Sequence, residues 1–208
     1  IRMNFEQLNL IEPLIKTTHK KGYLSPTPIQ EKSIPSILQG RDLFGIAQTG
    51  TGKTAAYALP ILHLIATEKD YSRKHEIKSL VLAPTRELAI QISEEFYAYS
   101  RHLNIRILTI YGGVSQRPQI QGLSKGVDIL VATPGRLLDL MQQGFISLHS
   151  IEFFVLDEAD RMLDMGFIPD IKRIISKLPQ RRQTMLFSAT TTPEVRKLSD
   201  SFLEHPVQ

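Results

Sequence analysis

The 208-residue sequence contains no cysteine, which excludes disulfide staples and thiolate metal sites and fits the reducing cytoplasm expected for it. It lacks any apolar run near the roughly 18 residues that a membrane-crossing helix requires. The longest candidate, "AAYALPILHLIA" (55–66), is interrupted by Pro60 and His63, so no membrane role is expected. The six histidines, His19, His63, His75, His102, His149 and His205, are scattered without metal-ligand spacing, and structural or surface positions are expected for them. No internal repeat, low-complexity linker or leader pattern is visible. Met3 is expected to begin the natural chain, with Ile1 and Arg2 an added remnant. A net charge of +4 is a weak pointer to a polyanionic partner.

What is present is an alternation. Short apolar runs, "DLFGIA" (42–47), "SLVLAP" (79–84), "IRILTIY" (105–111), "VDILVAT" (127–133), "EFFVLD" (152–157) and "QTMLFSA" (183–189), read as strands. Between them "TAAYALPILHLIAT" (54–67), "TRELAIQISEEFYAYSRHL" (85–103), "GRLLDLMQQG" (135–144) and "IPDIKRIISKL" (168–178) repeat apolar residues at helical spacing. Strands apolar on both faces and alternating with helices predict a single α/β domain, a mostly parallel sheet covered on both sides. The polar segment "TEKDYSRKHEIK" (67–78) reads as a solvated loop. Ligands of open α/β sheets bind at the carboxyl ends of the strands. There this sequence places "AQTGTGKT", "PTREL", "GG", "TPGR", "DEAD" and "SAT".

The loop "AQTGTGKT" (47–54) joins a strand to a helix. Gly50 and Gly52 let successive N–H groups turn inward around phosphate oxygens, with Thr49 and Thr51 in the same loop. The following helix adds its free N–H groups and positive dipole end. Lys53 is expected to reach the β- and γ-phosphates, and the Thr54 hydroxyl to ligate Mg²⁺. The full phosphate-loop pattern asks for glycine where Ala47 stands. A glycine-rich loop with a solvated lysine would also fit these letters, but the strand before and the helix after disfavour it. Three carboxylates, Asp157, Glu158 and Asp160, crowd the end of a core strand. A divalent cation there reverses the local electrostatics, with Asp157 holding the metal directly or through water and Glu158 deprotonating the attacking water. Acids at a solvated helix N-terminus are the blander alternative.

These residues together resemble the DEAD-box ATP-dependent RNA helicases. "GYLSPTPIQ" (22–30) looks like the Q motif, with Phe5 standing as the isolated upstream aromatic, and "AQTGTGKT" is motif I in the family's own form, alanine included. "PTREL" (84–88), "GG" (112–113), "TPGR" (133–136), "DEAD" (157–160) and "SAT" (188–190) follow in the family's order, and the wording leans toward the bacterial RhlE-like subgroup. The resemblance implies a RecA-like phosphate-loop domain over residues 35–208, with residues 1–34 a Q-motif region packed on it. A second RecA-like domain, absent here, is expected to follow Gln208 and to bring the arginine fingers. ATP and Mg²⁺ are the implied cofactors and RNA the implied partner. Gln30 would read the adenine edge and Tyr23 stack on the base. Pro84, Thr85, Arg86, Gly113, Thr133, Gly135 and Arg136 would grip RNA phosphates and sugars without reading sequence. Asp160, Ser188 and Thr190 would couple the acids to domain closure. Two other classes compete: an RNA-binding scaffold with a vestigial nucleotide site, and a DNA-directed phosphate-loop motor. Intact Lys53, Thr54, Asp157 and Glu158 oppose the first. Gln30 and the "PTREL" and "TPGR" wording oppose the second.

Overall fold

The structure is a computed structural model and describes residues 2–68 and 75–208. After a one-turn 3-10 helix at Phe5–Leu8 come α1 (Glu12–Lys20), α2 (Pro28–Leu38), β1 (Leu43–Ile46), α3 (Lys53–Thr67), β2 (Ser79–Leu82) and α4 (Arg86–Ser100). There follow β3 (Ile107–Ile110), α5 (Arg117–Ser124), β4 (Ile129–Ala132), α6 (Pro134–Gln142), β5 (Phe153–Leu156), α7 (Ala159–Asp164), α8 (Ile168–Ile175), β6 (Gln183–Ser188) and α9 (Pro193–Phe202). The strands form one all-parallel sheet in the order β1-β6-β5-β2-β4-β3.

Each apolar run is continuous in sequence and divided in space. Because successive side chains point to opposite faces, Phe153 and Val155 enter one core and Phe154 and Leu156 the other. The same division separates Val81 from Leu80 and Leu82, and Phe187 from Leu186. The first core also takes Phe5, Leu14, Ile34, Leu62 and Phe96, while the second takes Leu137, Ile174 and Val195. Burying a side chain the size of Phe5 stabilises by roughly 1.5–3 kcal/mol, which docks the N-terminal region on the first face. The boundary expected at 34/35 falls inside α2, where Ile34 and Ile37 share the buried face. Helix α3 runs on through Pro60.

Polar side chains stitch the amino ends of the strands. Asp42 accepts from the Thr184 N–H at 2.8 Å and the Glu204 N–H at 2.7 Å. The Gln183 amide donates to the carbonyls of Ile37 and Arg41 at 3.0 and 2.7 Å. Asp128 accepts from the Arg106 N–H at 2.7 Å and pairs with His75 at 2.8 Å. The loop expected over 67–78 lies largely on residues 69–74, outside the described ones. Its end departs from a solvated loop, since His75 joins Asp128 and the Lys78 backbone enters the sheet's ladder. Helices α1, α2, α5, α7 and α9 were not among the expected periodic segments; α1, α2, α5 and α9 carry an N-terminal proline, and α7 has an acid in its first turn. With the amino ends closed, the carboxyl ends remain for ligands.

Candidate nucleotide and nucleic-acid site

The end of β1 leads into the glycine-rich loop. Gly50 and Gly52 take positive φ, +84° and +82°, a region in which a Cβ collides with the following carbonyl. Gly52 is also sterically closed, because a Cβ there would lie 2.5 Å from Gln30 Nε2. Helix α3 starts at the next residue and so carries Lys53 and Thr54 in its first turn. The loop faces a cleft of about 350 Å³ lined by Tyr23, Gln30, Thr49, Gly50, Gly52, Lys53, Thr54 and Glu158. Thr51 turns away: its hydroxyl donates to the Gln48 carbonyl at 2.6 Å, and it borders a separate groove beside Ala189.

Gln30 is buried and its amide is engaged at both ends, accepting from the Thr27 N–H at 3.0 Å and donating to the Gly52 carbonyl at 3.1 Å. It therefore holds the glycine-rich loop against α2 while lining the cleft. Tyr23 is exposed, with the Lys21 ammonium 5.8 Å from its ring centre. Phe5 lies in the core rather than in the cleft. The sequence reading missed Gln91, Glu95 and Tyr99, which complete the cleft from α4. Their spacing of four places them on one helical stripe, the signal that would have found them. Burial raises the proton affinity of Glu95, against the opposing pull of Lys21. Burial likewise pushes the Tyr99 phenol well up.

The acids stand at the end of β5, beside the loop. Asp157 is fully buried, with the Lys53 ammonium 2.9 Å from Oδ1 and the Tyr57 hydroxyl donating to Oδ2 at 2.7 Å. Burial raises its proton affinity, while Lys53 and the phenol oppose that shift. Lys53 also lies 3.6 Å from Glu158. Glu158 has φ +54°, ψ +51°, a left-handed conformation costing roughly 1–2 kcal/mol for a residue with a Cβ. It caps α7, and its carboxylate meets Arg161 at 3.4 Å. Asp160 accepts from the Thr190 hydroxyl at 3.3 Å, and the Thr190 N–H donates to the buried Ser188 hydroxyl at 3.3 Å. The acids and the end of β6 are thus joined through α7.

The remaining strand ends, β2, β4 and β3, carry the other group. Thr85 caps α4 by accepting from the Leu88 N–H at 3.2 Å. Arg86 is exposed above the Tyr111 ring at 5.1 Å. Pro134 opens α6, with Thr133 before it. Arg136 donates to Gln119 Oε1 at 3.1 Å and to the Val114 carbonyl at 2.9 Å, fastening the loop after β3. Gly113 has φ +80°, and a Cβ at Gly113 or Gly135 would meet nothing within 4 Å. This half is an open surface.

An all-parallel sheet that sends a glycine-rich loop into a helix at β1 and ends β5 in buried acid defines a RecA-like phosphate-loop domain. The chain belongs to the DEAD/DEAH box helicase family, whose profile matches residues 27–198. It is 47% identical over 204 residues to a DEAD-box ATP-dependent RNA helicase CshA of Streptococcus pneumoniae, covering 98% of this chain and 38% of that protein. It is 44% identical over 205 residues to RhpA of Helicobacter pylori, also named a DEAD-box ATP-dependent RNA helicase, covering 99% of this chain and 40% of that one. A crystal structure of a DEAD box protein from the hyperthermophile Methanococcus jannaschii superposes with a TM-score of 0.91 at 39% identity, over 99% of this chain and 55% of that one. The chain thus spans about two fifths of the length of these curated relatives. Their names say nothing of an RhlE-like subgroup. Among the described residues no helix is long and apolar enough to cross a membrane.

The residues present fit the Mg²⁺ that the family implies. Asp157 Oδ1 faces the Lys53 ammonium at 2.9 Å and accepts from no other donor among the described residues. A fully buried carboxylate in that state is a ready oxygen ligand for a hard cation.

Proposed function

We propose that this chain is the nucleotide-binding part of an ATP-dependent RNA helicase. The observation that carries the reading is the Lys53 ammonium, buried between Asp157 and Glu158 at the mouth of the cleft. A buried cation shared by two acids is poised to exchange one of them for phosphate oxygens, since both present anionic oxygen acceptors to the ammonium. Lys53 and the N–H groups of the loop would hold the β- and γ-phosphates. Gln30 would present the amide edge to adenine, and Tyr23 would cover the base. Thr54 and Asp157 would hold Mg²⁺, which supplies neutralisation of the phosphate charge. Glu158 would orient the attacking water and accept its proton.

RNA would run along the ends of β2, β4 and β3. Its phosphates would meet the first turns of α4 and α6 together with Arg86 and Arg136, and Gly113 and Gly135 allow close backbone approach. Such contacts read backbone rather than base identity, so sequence-independent binding follows. The Asp160–Thr190 contact would pass closure to the acids. A second RecA-like domain would supply the arginine finger, a contribution of about 10³–10⁵ in rate. These 208 residues alone are therefore expected to bind nucleotide and to hydrolyse it feebly. Calorimetry with ADP and Mg²⁺ should show binding that Lys53→Ala abolishes. No heat of association for either ADP or ATP would sink the reading.

A further inference from the structure

We infer that Tyr57 is a positioning residue of the nucleotide site, its phenol hydroxyl orienting the Asp157 carboxylate toward the metal; the inference rests on the nucleotide-and-Mg²⁺ reading above. Tyr57 lies on α3 one turn after Thr54, and it reads in sequence as one more apolar residue of a buried face. In the fold its ring is fully buried and held between Phe187, 5.2 Å away between ring centres, and Phe96, 6.2 Å away. A ring clamped in this way cannot swing its hydroxyl elsewhere. That hydroxyl donates to Asp157 Oδ2 at 2.7 Å, across 100 residues of sequence.

The consequence is a division of labour between the two oxygens of one carboxylate. Oδ2 is occupied by a fixed O–H donor, and Oδ1 faces only the Lys53 ammonium, a partner that would leave for phosphate. Carboxylates that hold metals are oriented by hydrogen bonds from groups that never touch the metal, and losing such a partner typically costs about 10–100-fold in metal affinity. Here the orienting phenol stands one turn after Thr54 on α3 and reaches Asp157 at the end of β5, so it ties the helix that carries one proposed Mg²⁺ residue to the other such residue. It would keep them in register when Lys53 leaves for phosphate.

The test is Tyr57→Phe, which preserves the ring and deletes only the hydroxyl. ADP binding is measured as a function of Mg²⁺ concentration, and separately in EDTA. The half-saturating Mg²⁺ concentration should rise by about 10–100-fold, while ADP affinity in EDTA stays within about twofold of the parent. An unchanged Mg²⁺ midpoint, or an equal loss with and without metal, overturns the inference. If the parent itself binds no nucleotide, the underlying functional reading fails instead. Should Tyr57→Phe not fold, Tyr57 replaced site-specifically by meta-fluorotyrosine keeps the hydroxyl and reports through one fluorine resonance. That resonance should shift when Mg²⁺ is added to ADP-loaded protein, and a stationary resonance overturns the inference equally.

Discussion

At the ends of β1, β6 and β5, Lys53 and Asp157 are withdrawn from solvent and compensate one another. A tyrosine completes the network, and Glu158 is bent into a left-handed backbone. At the ends of β2, β4 and β3, Arg86 is exposed, Arg136 is tethered by neutral acceptors, and the glycines face open space. One sheet edge thus carries two opposite solutions. On the proposed reading, a small, densely charged ligand would be recognised by groups already desolvated and aimed, at the expense of buried charge and strain. The proposed extended polyanion would keep most of its hydration, so its surface would need only first-turn N–H groups, guanidinium charge and backbone clearance. Stability and function are accordingly entangled in the first half and nearly separable in the second.

The largest effect should come from breaking the buried pair. Lys53→Ala leaves Asp157 without a cation and should cost about 3–5 kcal/mol in urea unfolding at neutral pH. Below the elevated Asp157 pKa the carboxyl is neutral in both forms, so that cost should shrink; a cost independent of pH would contradict the pairing. Arg136→Ala, the counterpart in the open half, should cost only about 1 kcal/mol. In the two-domain protein it should nevertheless weaken RNA binding uniformly across sequences and lower the salt slope by about 1.

Glycine substitutions sharpen the comparison further. Gly52→Ala meets both the φ of +82° and the Gln30 amide at 2.5 Å, and should cost more than about 2 kcal/mol together with nucleotide affinity. Gly113→Ala meets the backbone term alone and should cost about 1 kcal/mol by the same measurement. Equal costs at the two sites would remove the steric distinction between the halves. Relief of strain gives a smaller effect of opposite sign. Glu158→Gly should leave the chain at least as stable as the parent while turnover in a protein carrying the proposed second domain is lost, since on the proposed reading the strained backbone serves to aim the acid.

The smallest effect lies outside both halves. His63 Nδ1 accepts from the Ile11 N–H at 3.0 Å, and burial lowers its proton affinity below the ordinary 6.5. The unfolded chain then takes up a proton first as pH falls through 6.5, so this contribution is present above that value and lost below it. Thermal unfolding between neutral and mildly acidic pH should show a loss that His63→Gln removes. Unchanged pH dependence in the variant would dissociate the histidine from the N-terminal dock.

All six strands were legible because parallel strands buried on both faces leave uninterrupted apolar runs, and the loops after them were legible because glycine, lysine and acid sit at strand ends. Helix α7, of 6 residues, is too short for a periodicity reading; α1, α2, α5 and α9 escaped one although α6 and α8 are of similar length, because polar residues and proline thin out their apolar repeat. Proline near the N-terminus of α1, α2, α5 and α9, and Thr192 capping α9 by accepting from the Val195 N–H at 3.3 Å, were the available signals. Gln91, Glu95 and Tyr99 had only their shared stripe on α4 as a signal, and Tyr57 had none: each sits in a helix whose pattern explains it locally as surface or core.

From sequence alone came the α/β class, the phosphate loop and the position of the acids, since these depend on local backbone needs and on period-two burial, both written within a few residues. Strand order, the pairing of Lys53 with Asp157 and the reach of the Tyr57 hydroxyl to that same carboxylate were decided only by tertiary structure. The two contacts join α3 to the residue after β5 across about 100 positions, and only the packed sheet sets the distance between groups so far apart along the chain.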